Sequence, residues 1–358
     1  MIHGHGGNIY KLARQLNCDP GDIVDMSSNI NPLGMPPGLR DDLKAHVDLV
    51  GRLPEVDSRA MVESMADLLD VDPQRLLAGN GTTQFIYNAC TALKSKRVLI
   101  LGPTYADYAD ACHMHGIEPQ YFLSNSSEAF QVDIALLERA VSGFDTVFIC
   151  NPNNPTAGLI PMDGLYGLCR RNPQTRFIID ESYLPFAPGT QLASMVHCGL
   201  DNVIVLWSAS KIFGLPGLRA GFLIANEGAR AAFERFLKPW SLNILAQDAI
   251  NYLGHNQAAT QDFIQHTRIY LERERRLFHE RLSHYPSLTL FPSVTSYILI
   301  ELPRSMSAHG VCEALAQRRL LIRNCSNLHG LTDRYVRVAL KSSDINALAA
   351  DLLAGEIV

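Results

Sequence analysis

At 358 residues, with 47% apolar and 19% charged side chains, the chain reads as a globular protein with ample core material, too long for one hydrophobic core. Acidic residues outnumber basic ones 36 to 31, a formal charge of −5, which argues against nucleic acid or a membrane surface as partner. Apolar runs such as 203–207 fall far short of the roughly 20 residues that span a bilayer, and the start, Met-Ile-His-Gly-His-Gly-Gly-Asn, lacks the basic and apolar stretches of a secretory signal.

The first forty residues, rich in Gly, Asn and Pro, predict an irregular arm with one short helix. From about 75 to 225, β-rich runs at 97–101, 119–123, 146–150, 176–179, 203–207 and 220–224 alternate with helix-length spacers. That rhythm implies βαβ units and a mostly parallel sheet with helices on its faces, an α/β fold whose ligands collect beyond the carboxyl ends of the strands. Residues from about 228 to 285 read as long helices. Runs at 288–291, 297–302, 320–323 and 335–339 then suggest strands of a smaller α+β domain. The expected division is an arm over 1–40, a large domain over 41–245 and a small domain over 246–358, with an interdomain helix near 230–275. Eight cysteines are scattered with no C-x-x-C pair, which suits free thiols in a reducing cytoplasm.

Lys211 is the most informative residue, lying in Trp207-Ser-Ala-Ser-Lys-Ile-Phe-Gly-Leu-Pro-Gly-Leu-Arg219 directly after an apolar run. Desolvation there lowers a lysine pKa toward that of a usable nucleophile. Asp180 ends an earlier apolar run, with Tyr183 three residues on, and a buried carboxylate needs a cationic partner or a helix to cap. Ser208, Ser210 and Arg219 suit a phosphate. Gly81 and Thr82, in Leu77-Ala-Gly-Asn-Gly-Thr-Thr-Gln84, stand before a helical pattern where free N–H groups make an anion nest, although a plain loop with a threonine cap reads as well. Tyr105 follows a strand and is able to stack on a flat ring or to pack in the core. Asn151-Pro-Asn-Asn-Pro-Thr156 freezes a turn from which Asn154 projects. Together these residues suit pyridoxal phosphate, whose aldehyde takes a lysine, whose ring nitrogen takes a carboxylate and whose phosphate takes hydroxyls and an arginine. Arg337, mid-strand in Tyr335-Val-Arg-Val-Ala-Leu-Lys341, suits a substrate carboxylate, and Arg323 a second anion; structural salt bridges account for either equally well. His3-Gly-His5 without further ligands does not make a metal site, and none is expected.

In these motifs and their order the chain resembles the fold-type-I pyridoxal-phosphate enzymes of the aspartate aminotransferase superfamily. Its ends, His5-Gly-Gly-Asn8, Ser28-Asn-Ile-Asn-Pro-Leu-Gly34, Pro239-Trp-Ser-Leu-Asn243 and Leu321-Ile-Arg-Asn-Cys325, resemble the threonine-phosphate decarboxylases of cobalamin biosynthesis more than the neighbouring histidinol-phosphate aminotransferases. The resemblance implies decarboxylation of L-threonine O-3-phosphate to (R)-1-amino-2-propanol O-2-phosphate in a cytoplasmic homodimer. Serine phosphate decarboxylation and histidinol-phosphate transamination are the alternatives. It assigns Lys211 to the cofactor aldehyde, Asp180 to the ring nitrogen, Asn154 and Tyr183 to the phenolate oxygen and Tyr105 to the ring face. Gly81, Thr82, Ser208, Ser210 and Arg219 go to the cofactor phosphate. His5, Asn29 and Arg323 go to the substrate phosphate and Arg337 to its carboxylate. Two departures stand out. Arg52-Leu53-Pro54 replaces the family's Arg-Tyr-Pro, which removes a hydrogen bond to the partner subunit's cofactor worth about 1–3 kcal/mol. Ala157 replaces a glycine after Asn-Pro-Thr, which predicts a negative φ or a shifted turn there.

Overall fold

The computed structural model describes residues 6–189 and 194–356. Its strands are, in chain order, β1 (Val24–Asp25), β2 (Leu76–Asn80), β3 (Val98–Gly102), β4 (Gln120–Leu123), β5 (Thr146–Cys150), β6 (Arg176–Asp180), β7 (Val203–Ser208), β8 (Ala220–Ile224), β9 (Thr289–Leu290), β10 (Tyr297–Glu301), β11 (Leu320–Leu321), β12 (Arg323–Asn324) and β13 (Tyr335–Ala339). Seven of them form one sheet in the order β2-β8-β7-β6-β5-β3-β4. The five strands from β7 to β4 run parallel, while β8 is antiparallel to both β7 and β2. Every residue of β3, β5, β7 and β8 is buried, as the unbroken apolar runs require of strands covered on both faces. β4, at the edge, is partly exposed throughout.

A second sheet, antiparallel in the order β12-β13-β10-β9, lies in the C-terminal third. The expected α/β class and the smaller C-terminal unit are both present. Three details differ from expectation. β2 reads in sequence as part of a glycine-rich loop, and its strand character comes from pairing with β8, far along the chain. The run expected as one strand over 320–323 is two, for β11 pairs in parallel with β1 while β12 joins the second sheet. The stretch expected to hold an interdomain helix contains three helices, Glu227–Glu234, Ile244–His255 and Gln257–Leu282. No helix among the described residues is long and apolar enough to cross a membrane.

The arm carries the expected short helix, Ile9–Leu16, and continues as a brace for the sheet ends. β1 pairs with β11, and Ala339 N–H donates to the Met26 carbonyl at 2.8 Å, so residues 24–29 lie alongside the C-terminal strands. Further on, Asn31 N–H donates to the Lys211 carbonyl at 3.0 Å and its side-chain amide to Ile212 O at 2.7 Å. Gly214, at φ +64°, faces Gly34 so closely that a Cβ would stand 2.5 Å from its carbonyl oxygen. The turn after Lys211 therefore needs glycine for both conformation and contact.

Candidate active site

Parallel registry aligns the strand ends. Cys150 pairs with Asp180 and Asp180 with Leu206, so the turns that follow β5, β6 and β7 open on one crevice. The ten residues expected around the cofactor, from Gly81 to Arg219, line a single cavity there, Lys211 and Asp180 among them. An adjoining cavity shares Tyr105, Asn154, Tyr183 and Lys211 and adds Asn29, Arg323 and Arg337. His5 lies outside the described residues.

Asp180, 5% exposed, closes β6 and is held by three donors. Ser182 gives its N–H at 2.9 Å and its hydroxyl at 2.5 Å to one oxygen, and the Tyr108 hydroxyl reaches the other at 2.9 Å. Burial pushes the carboxyl pKa up, against the pull of Ser182, Tyr108 and the Lys211 ammonium. A carboxylate held this firmly at low exposure is a ready partner for a buried cation. Tyr108 is itself pinned by stacking on Phe148, 5.2 Å between centroids.

Lys211 sits in the one-turn helix Ala209–Ile212 directly after β7, and its amine faces the same cavity. Burial, then the positive charges of Arg219 and Arg337, pull its pKa down to about 8, with Asp180 opposing. The fraction of free amine near neutrality is therefore larger than for an ordinary lysine.

Opposite the lysine is a cradle. Gly81, at φ +74°, precedes the helix Thr82–Ala92, whose cap makes no side-chain hydrogen bond, and a Cβ at Gly81 would stand 2.5 Å from Arg219 Nη2. Free N–H groups at a helix start, a guanidinium and the Ser208 hydroxyl thus converge with Ser210, whose buried Oγ has no partner. The threonine-cap alternative fails, because glycine occupies the cap.

The second cavity centres on Arg337, 6% exposed. Its guanidinium donates to Asn154 Oδ1 and, at 2.6 Å, to the Ser27 carbonyl, and it lies 5.2 Å over the Tyr297 ring. No carboxylate pairs with it among the described residues, and its Nε is buried without a partner, so a structural salt bridge does not account for it. Asn154, with its oxygen taken, offers its amide N–H groups. Asn29 donates to the Tyr183 hydroxyl at 3.1 Å, while its own Oδ1 is buried and unpaired. Burial raises the Tyr183 pKa to about 12, with Arg337 and Asn29 opposing. Arg323 is half-buried in the wall and bonds Asn327 Oδ1 at 2.7 Å; burial lowers its pKa. Tyr105, also half-buried, meets Tyr108 edge-on at 5.8 Å.

Ala157 corrects one expectation. It has a left-handed φ of +59° in place of a negative one, so a residue with a Cβ bears the strain. Sequence reasoning missed Tyr108 and Ser182 as supports of Asp180. Tyr108 stands in the motif Pro103-Thr-Tyr-Ala-Asp-Tyr108 and was overshadowed by Tyr105, whereas Ser182, two residues past Asp180, reads in sequence as an ordinary turn serine.

The cavity thus presents a softened amine, a fixed carboxylate and an anion cradle, with two arginines beyond. A family model described as aminotransferase class I and II matches residues 21–352. The chain belongs to the class I and II aminotransferase family. A threonine-phosphate decarboxylase of Salmonella typhimurium is 33% identical over 351 residues, 96% of this chain and 93% of that one. A histidinol-phosphate aminotransferase of Methanocaldococcus jannaschii is 27% identical, covering 92% of this chain and 88% of its own. Among solved structures, the L-threonine-O-3-phosphate decarboxylase of Porphyromonas gingivalis superposes with a TM-score of 0.82 at 27% identity, over 94% of this chain and 99% of that one. Class I and II members with different activities therefore share this fold, and the residues in the cavity have to choose between them.

Proposed function

We propose that the protein is a pyridoxal-phosphate-dependent decarboxylase acting on L-threonine O-3-phosphate, yielding (R)-1-amino-2-propanol O-2-phosphate and carbon dioxide for cobalamin biosynthesis. The observation that carries this is the pairing of the cofactor-type cavity with an adjoining one that holds Arg337 and Arg323, two arginines for a substrate with two anionic groups. The likeness to decarboxylases of this name supports it.

The residues present fit the cofactor. The orphaned Ser210 hydroxyl and the Gly81 cradle match its phosphate, Asp180 its protonated ring nitrogen, and Lys211 its aldehyde. Asn154 and Tyr183 would hold its phenolate oxygen, Tyr105 would cover the ring, and Thr82, Ser208 and Arg219 would complete the phosphate site. When bound, pyridoxal phosphate supplies an electron sink for the pair released at the substrate Cα. The chain's own residues decide which bond gives up that pair. Arg337 grips the carboxylate, Arg323 grips the phosphate with Asn29 and the arm residue His5, and the two grips fix rotation about the bond to Cα. Binding energy from the non-reacting phosphate is spent on orientation. Asp180 keeps its charge because Ser182 and Tyr108 donate to it. Lys211, whose amine faces the cavity, would carry the proton to Cα, so the product would retain its amine.

The finer points belong to the same reading. The arm, large domain and small domain divide at about residues 40 and 245. A second copy of the chain covers the apolar surface of Val47, Val50, Leu53 and Val56 beside Trp240, all more than half exposed, which makes the enzyme a homodimer. Eight free cysteines suit the reducing cytoplasm. The test is a product assay: carbon dioxide from threonine phosphate without any oxo-acid acceptor supports the proposal. Strict dependence on 2-oxoglutarate, with histidinol phosphate as donor, selects the aminotransferase instead. Comparing rates on threonine and serine phosphates separates the two decarboxylases, whose substrates differ by one methyl worth about 1–3 kcal/mol.

A further inference from the structure

Beside Arg323, Arg337 and Lys211, the last assigned to the cofactor, Lys341 is a fourth cationic side chain lining the substrate cavity, two residues past β13, and the assignments above give it no task. Its backbone is anchored on both sides: the N–H donates to Asn346 Oδ1 at 2.7 Å and the carbonyl accepts from the Tyr270 hydroxyl at 2.8 Å. The side chain is half-buried, and its ammonium donates to the Ser28 carbonyl at 3.4 Å. The preceding carbonyl, that of Ser27, takes Arg337. Two cations thus stand on consecutive carbonyls of the arm.

Among the described residues no carboxylate is bonded to Lys341. The acid that acts on it, Asp25, spends its oxygens on the N–H and hydroxyl groups of Ser27 and Ser28. A half-buried ammonium with one long hydrogen bond has given up water for little return, as a group awaiting an anion does. The substrate of the proposed function carries a carboxylate and a phosphate ester of about −1.5 to −2 charge at pH 7, close to three negative charges in all. Arg323 and Arg337 supply two positive ones.

We propose that Lys341 is a substrate-binding residue, supplying the third positive charge that lets this cavity hold a carboxylate and a dianionic phosphate at once. The inference rests on the decarboxylase reading and deepens it, since it marks the site for amino acids that bear both groups. A phosphate ester without the carboxylate is already matched by the two arginines.

The experiment compares Lys341→Met and Lys341→Arg with the wild-type holoenzyme, by steady-state kinetics on O-phospho-L-threonine, cofactor absorbance and melting temperature. Lys341→Met is expected to raise KM about 10- to 100-fold, the loss of one charge-assisted contact, with kcat changed less than about threefold. Cofactor absorbance and melting temperature stay at wild-type values, and Lys341→Arg recovers most of the KM. A KM for Lys341→Met within about twofold of wild type overturns the proposal. So does a KM effect that tracks a lowered melting temperature and is not rescued by arginine, which marks a structural role. A wild-type enzyme that releases no carbon dioxide from threonine phosphate takes down the decarboxylase reading and this inference together, whereas an active wild type with an indifferent Lys341→Met removes the inference alone.

Discussion

Replacing Tyr108 with phenylalanine removes one hydroxyl and keeps the ring that stacks on Phe148, so the change isolates the 2.9 Å hydrogen bond to Asp180. The carboxylate keeps both Ser182 donors. A bond to a buried charged group is worth about 1.5–3 kcal/mol, and losing it raises the Asp180 pKa further, because the charged form loses more than the neutral one. Since burial already raises that pKa in the folded protein, the cofactor-free fold gains stability from Asp180 being neutral. That gain is complete below the unfolded pKa and lost as pH rises through the folded one, and Tyr108→Phe widens the window upward. The consequence is measurable in cofactor binding, which in the proposed role of Asp180 needs the ionised carboxylate. Affinity of cofactor-free enzyme for pyridoxal phosphate, titrated by absorbance across pH, falls on the acid side for both proteins. In Tyr108→Phe the fall begins at higher pH. The cofactor's own ionisation is common to both titrations and cancels. Identical acid limbs would refute the claim that Tyr108 holds Asp180 in its charged form.

Gly81→Ala puts a Cβ against Arg219 at a left-handed φ and is expected to weaken cofactor affinity by at least about 1–2 kcal/mol, read by the same titration. Ala157→Gly relieves the strain at φ +59° and should stabilise the protein by up to about 1 kcal/mol in thermal or urea unfolding, with activity unchanged. If Lys211 takes the cofactor aldehyde as proposed, uptake of pyridoxal phosphate by cofactor-free enzyme needs its neutral amine, so the rate should rise with pH to a midpoint near 8 in stopped-flow absorbance. In the proposed role of Arg337, Arg337→Gln leaves the substrate carboxylate without its partner and is expected to lower kcat/KM by about 2–5 kcal/mol equivalent, with the cofactor retained.

Much of the site was legible because its chemistry is written in short stretches at strand ends. Lys211 with its serines, Asp180 with Tyr183, and Asn154 in its proline-framed turn each carry a local signature. Registry between parallel strands then brings them together without further information. What the sequence concealed depends on contacts between distant segments. β2 is a strand because β8 pairs with it, and residues 320–323 split because β1 and β13 claim their two ends. Asn31 of the arm bonds the turn that carries Lys211, a link across the chain that no local pattern shows. Ala157 shows the converse: a rule about left-handed backbone was sound, yet the surrounding turn outweighs a penalty of about 1–2 kcal/mol.

The most direct test of the central claim is the reaction run in heavy water with threonine phosphate as sole substrate, the products identified by nuclear magnetic resonance. Decarboxylation with proton return to Cα predicts aminopropanol phosphate bearing one deuterium beside the retained amine, and no product at all from Lys211→Ala. An oxo acid as product, with the amine passed to the cofactor, would contradict the account.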